Sequence, residues 1–78
     1  MTLINIDKLH TTPLGEERIS KNLQIDRIDI INYCRTMILN NSSVILRKGK
    51  NWYITNGNVT ITVNAGSHTI ITAHKISG

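Results

Sequence analysis

The sequence predicts an α+β fold: two N-terminal helices packed on one face of a four-stranded antiparallel sheet, a meander. Two observations carry this. Apolar residues recur at roughly helical spacing as far as residue 41, and from Ser43 onward the spacing drops to two. Turn signals at Lys48-Gly49, Asn56-Gly57 and Ala65-Gly66 then cut the second half into four short runs. A sheet of this kind buries one face under the helices and leaves the other open.

Each element has a local reason. Residues 1–11 alternate weakly, with Leu3, Ile4, Ile6 and Leu9, and read as an ordered arm or short extended lead-in. Thr12 is a helix cap, Pro13 suits the first helical position, and Glu16 and Glu17 fall at the positive end of the dipole. This first helix is expected over about residues 13–22, burying Leu14, Ile19 and Leu23. Asp26, with Asp29 three residues on, reads as a second cap. Ile28, Ile31, Cys34, Met37 and Ile38 then form a stripe, widened by Ile30 and Leu39, and the helix is expected to end at Asn40-Asn41. Strands are expected at 43–47, 50–55, 58–63 and 67–75. The division is an arm (1–11), two helices (12–41) and a sheet (43–76) in a single domain.

Bulk properties narrow the function. Seventy-eight residues lie near the lower limit for folding without disulfides or metal, and one cysteine, Cys34, cannot form an internal bridge. Residues 1–7 lack the pattern of a secretory signal, and no run approaches the ~20 apolar residues of a membrane span. The expectation is a soluble cytoplasmic protein with no membrane partner. A net charge of +4 favours polyanions, RNA among them, and an acidic protein partner would satisfy the same charge. There is no Gly-rich phosphate loop, no cysteine pair and no His–carboxylate cluster, so neither cofactor nor metal is expected. Cys34 lies on the apolar stripe and reads as a small core residue.

Strand parity sorts the sheet into two faces. Val59, Ile61 and Val63 point inward, with Trp52 and Ile54, and on the first strand Val44 and Leu46 are assigned inward. On the last strand Ile70 and Ile71 compete. Assigning Ile71 and Ala73 to the core places His68, Ile70, Thr72 and His74 outward. The open face is then Arg47, Asn51, Tyr53, Thr55, Thr60, Thr62, Thr72 and His74.

This face carries the candidate chemistry. His74 is the candidate general acid or base; the bland reading is a half-exposed strand residue bonded to a threonine. Arg47, Lys48 and Lys50 form either a phosphate anchor or a charged turn that keeps an edge soluble. Tyr53 can stack on a base or donate its hydroxyl, and Trp52 reads as core. Thr72 would orient substrate; Asn51, Thr60 and Thr62 are candidate contacts. His68 reads as a solvated turn residue. His10 would join the site if the arm folded back over the sheet.

The segments Leu9-His10-Thr11-Thr12, Leu14-Gly15, Arg18-Ile19 and Asn22-Leu23, then Gly49-Lys50-Asn51-Trp52-Tyr53, then Thr69-Ile70-Ile71-Thr72-Ala73-His74-Lys75, resemble a family of short bacterial proteins known only as a domain of unknown function. The order of two helices and a four-stranded sheet also resembles the small barnase, EndoU, colicin and RelE-type ribonucleases, many of them phage-borne or toxins. That second resemblance implies metal-independent RNA cleavage on the open face, with Thr72 and His74 in the site. No carboxylate stands on the sheet, so any base must be a histidine. The leading expectation is therefore a toxin-type ribonuclease that needs a neutralising protein partner. Against it stands a non-catalytic module binding RNA or an acidic protein through the same face, and also a homodimer formed through a sheet edge or face. Whether the chain is an enzyme is left open by its sequence.

Overall fold

The computed structural model describes residues 4–76; Leu3 lies outside the described residues. Two helices, α1 (Pro13–Leu23) and α2 (Ile30–Leu39), precede four strands, β1 (Val44–Lys48), β2 (Asn51–Asn56), β3 (Val59–Asn64) and β4 (Ile70–Lys75). The strands are antiparallel in the order β1-β2-β3-β4, the expected meander. Ile19, Leu23, Ile30, Cys34, Met37 and Ile38 from the helices meet Ile54, Val59, Ile61, Val63, Ile70 and Ala73 from the sheet in one apolar cluster.

The start of α1 follows its local chemistry. Thr12 is extended, and its hydroxyl accepts the Gly15 N–H at 3.0 Å. The buried stripe is Gly15, Ile19 and Leu23, one residue per turn. Leu14 lies ~100° away from that stripe and is exposed, so its assignment to the core is corrected. The helix lies on β4, where the Asn22 side-chain amide donates to the Ala73 carbonyl at 3.1 Å.

For α2 the expected stripe keeps Cys34, Met37 and Ile38 but starts two residues later, at Ile30 instead of Ile28. Asp26 makes no side-chain cap bond, and a 3-10 turn over Arg27–Asp29 separates it from the helix. The helical period therefore begins at Ile30 and buries Ile30, Cys34, Met37 and Ile38. Ile28 precedes it and is 86% exposed, and Leu39 is exposed on the far side.

In the sheet, Gly49 and Gly57 hold φ of +61° and +60° in the two tight turns. The first turn fixes a register that corrects the parity assigned to β1. Lys48 pairs with Asn51, so Arg47 pairs with Trp52 and Ile45 with Ile54. Ile45 and Arg47 thus share the helix-side face with Trp52. Val44 and Leu46 stand on the open face, 56% and 61% exposed.

On β4, neither of the two competing assignments holds. Thr62 pairs with Thr72 and Val63 with Ile70, leaving Ile71 as an extra residue in a bulge. Ile70 is buried, at 1% exposed, and Ile71 is 42% exposed, the reverse of the expected choice. Thr72 and His74 nevertheless remain outward, because the extra residue resets the alternation. The strand begins at Ile70, and His68 sits before it in the left-handed region at φ +60°.

The arm is ordered. A 3-10 turn at Ile6–Lys8 leads to a parallel bridge between His10 and Thr69, and Ile4 and Leu9 are buried in the core. The Ile70 N–H donates to the His10 carbonyl at 2.7 Å, and the Thr11 hydroxyl donates to the Ile70 carbonyl at 3.0 Å.

Candidate functional site

The register builds the open face as three rows. Val44, Thr55, Thr60 and His74 form one; Leu46, Tyr53, Thr62 and Thr72 the next; Lys48, Asn51 and Asn64 the third. Seven of the eight residues assigned to this face from the sequence are on it: Asn51, Tyr53, Thr55, Thr60, Thr62, Thr72 and His74. Arg47 is the exception. Its Nε–H donates to the Gly49 carbonyl at 3.0 Å, and its guanidinium lies 5.3 Å from the Trp52 ring centroid.

Within the rows the groups differ in what they offer a ligand. Thr62, flanked by Tyr53 and Thr72, is only 7% exposed. The Thr55 and Thr60 hydroxyls bond each other at 3.2 Å. The His74 side chain is exposed and has no hydrogen bond among the described residues. Thr60 sits directly across from it but is engaged with Thr55 instead.

Charge is divided sharply along the chain. The acidic residues Asp7, Glu16, Glu17, Asp26 and Asp29 all precede the sheet, where Lys8, Arg18, Lys21, Arg27 and Arg35 balance them. The remaining cations, Arg47, Lys48, Lys50 and Lys75, belong to the sheet and its turns, so the whole surplus of +4 resides there. An open depression of about 600 Å³ lies at the first turn, lined by Leu46, Arg47, Lys48, Gly49 and Tyr53. It gathers three of the expected site residues from the two faces of one hairpin end.

His74 is remote from that depression. Three strand spacings of ~4.8 Å and three or four residues of ~3.4 Å put it about 18–20 Å from Arg47 and Lys48. Tyr53 is about 12 Å from it by the same measure.

The arm does fold back, but His10 reaches the opposite end of β4 from His74. Its Nδ1 lies 2.9 Å from the Lys8 carbonyl and its Nε2 3.0 Å from the Thr69 hydroxyl. The carbonyl can only accept, so Nδ1 carries the proton, and in the neutral ring Nε2 accepts from Thr69. The Ser67 hydroxyl lies 2.7 Å from that of Thr69, and His68 Nε2 accepts the Asn5 N–H at 3.3 Å. Hydroxyl, imidazole and carbonyl in this order are also the parts of an activated nucleophile. Here they clasp the arm to β4. No spacing in the sequence signals this cluster, because its members come from segments 59 residues apart.

Two neighbours on α2, Cys34 in the core and the half-buried Tyr33 against it, carry perturbed acidities. Burial pushes the Cys34 thiol up to about 12. Burial, and secondarily the neighbouring Cys34, raises the Tyr33 phenol. A thiol so held is protonated at neutral pH and is no nucleophile. Among the described residues, no three of His, Cys, Asp and Glu gather as a metal site requires, and no helix is long and apolar enough to cross a membrane.

No curated protein and no solved structure matches the chain. Residues 3–74 match a family described as a protein of unknown function (DUF3781). That match spans both helices and nearly the whole sheet, and the chain therefore belongs to this family.

Proposed function

We propose that the chain is a small module that binds single-stranded RNA without turnover. The observation that carries this is the segregation of charge: the entire positive surplus stands on a sheet that bears no carboxylate. Phosphates would meet Lys48, Lys50 and Arg47 at the first turn, where Tyr53 offers a ring in the wall of the depression. The chain of the nucleic acid would then cross Asn51, Thr60 and Thr72 toward His74, a path of about 20 Å.

The toxin-type ribonuclease is the second reading, and one observation favours it: His74 is exposed and has no hydrogen bond among the described residues, so its ring is open to a substrate. Against it, a general acid or base and the cations that neutralise a reacting phosphate must act on one group within hydrogen-bond reach, about 3 Å. Here they are separated several times over.

The test is a titration of a labelled single-stranded RNA oligonucleotide in EDTA at low salt, with the RNA recovered and sized afterwards. Saturable binding with intact RNA supports the module. Cleavage that disappears in His74→Ala would replace it with the ribonuclease, for which a neutralising partner is then expected. Absence of binding would overturn both and leave an acidic protein as the partner to seek.

A further inference from the structure

We propose that two copies of this chain pair through the free edge of β1, antiparallel about Leu46, to make one continuous eight-stranded sheet. The two edges of the sheet are built differently. The β4 edge carries the Ile71 bulge and is covered at its start by the arm, through the His10–Thr69 bridge. Both devices blunt an edge against a second strand. β1 has neither bulge nor cover: its ladder with β2 runs without interruption from Val44 to Lys48, and β2 is its only strand partner among the described residues. The charges that guard it, Arg47 and Lys48, both stand at its turn end and leave Val44, Ile45 and Leu46 uncharged. Its outer N–H and C=O groups form a template for another strand. Its open-face side chains, Val44 and Leu46, are more than half exposed, although apolar side chains at an edge invite association.

The sequence of β1 selects a second copy and its register. In an antiparallel pair centred on Leu46, the two Leu46 side chains oppose each other. Ile45 then opposes Arg47 of the second copy, and Val44 opposes Lys48, whose aliphatic stem can cover it. The two Lys48 ammonium groups lie at opposite ends, about 14 Å apart, beyond the screening length of ~8 Å at physiological salt. A parallel pairing would instead set Lys48 on Lys48 and Arg47 on Arg47. The two-fold axis stands perpendicular to the sheet, so both open faces look the same way and both sets of helices lie behind. This inference rests on the β1 register alone and does not depend on what the open face binds.

Disulfide trapping and sedimentation equilibrium test it together. Leu46→Cys places two thiols across the axis at the ~4.5–5.5 Å Cβ separation of an opposed pair, close to what a disulfide spans. Under mild oxidation it should give a covalent dimer, while Ile28→Cys on the helical side and the wild-type chain, whose Cys34 is buried, should not. The wild-type chain should sediment as a concentration-dependent dimer. Leu46→Lys, which opposes two like charges, should raise the dissociation constant about tenfold or more. A wild-type monomer at all concentrations overturns the proposal, including the case in which an acidic strand from another protein is the true occupant. So does equal cross-linking by Ile28→Cys, or preferential cross-linking by Ile71→Cys on the β4 edge.

Discussion

Ile70 and Thr72 pair with Val63 and Thr62, which are neighbours on β3, although two bonds separate the first pair and one the second. Ile71 is therefore surplus to the ladder, and Ile70 faces the core while Thr72 and His74 face outward. The two adjacent isoleucines should respond very differently to truncation. Ile70→Ala should cost about 2–5 kcal/mol in urea unfolding, and Ile71→Ala within about 0.5 kcal/mol. Equal losses would mean that no bulge exists.

Gly15 sets helix propensity against packing. A Cβ there would stand 2.5 Å from the Thr11 hydroxyl oxygen, which is held by its bond to the Ile70 carbonyl. The ~1 kcal/mol that alanine gains in a helix is then outweighed by crowding of about 1–3 kcal/mol. Gly15→Ala should lower the thermal midpoint, and Thr11→Ala in the same chain should recover part of the loss. Additive losses in the double variant would show that the two positions do not collide.

Acidity in the core fixes a pH dependence. The Cys34 thiol titrates at about 12 in the folded protein and near ~8.5 in the unfolded chain. The folded value is the raised one, so its contribution to stability is whole below the unfolded value and is lost as pH climbs from there toward 12. Tyr33, also raised, acts with the same sign. Unfolding free energy should fall with alkaline pH, and Cys34→Ala should fall less steeply. In native buffer at pH 8 a thiol reagent should react only at the rate of opening.

If single-stranded RNA is the ligand, each cation that meets a phosphate contributes about 0.7 to the slope of log affinity against log salt. Changing Arg47, Lys48 and Lys50 together to alanine should reduce that slope by up to about 2. His74→Ala should alter it little, since that side chain stands at the far end of the open face from the cationic turn. A slope unmoved by the triple change would take the phosphates away from the hairpin.

What the sequence made legible follows the range of the forces involved. The α1 cap, the hairpin signalled by Asn56-Gly57 and the order of strands are decided by neighbours in the chain and are as expected, whereas the first turn falls at Gly49-Lys50, one residue later than the expected Lys48-Gly49. Thr12 and Pro13 suffice for one, Asn56-Gly57 for another. The β1 parity was open to error because Val44, Ile45 and Leu46 are all apolar, and only pairing across Lys48 and Asn51 chooses among them. The bulge at Ile71 exists in the registry between two strands and leaves no mark except two adjacent isoleucines. Leu14 is an apolar residue one step outside its stripe and Ile28 stands two residues before the next, because the phase of each stripe is set by where its helix begins. Seven members of the open face were legible because β3 alternates without ambiguity. The His10–Thr69 clasp was not, since no local pattern joins those positions.

That clasp also orders events in folding. Every pairing in the meander joins strands that follow one another directly, so little chain entropy is lost in closing each loop. The bridge from His10 to Thr69 spans 59 positions and becomes favourable only once the intervening chain is compact. The arm, held at β4 by so long a closure, is expected to exchange its amide protons ahead of the strands. It carries Ile4 and Leu9, so the core is complete only while the arm is closed.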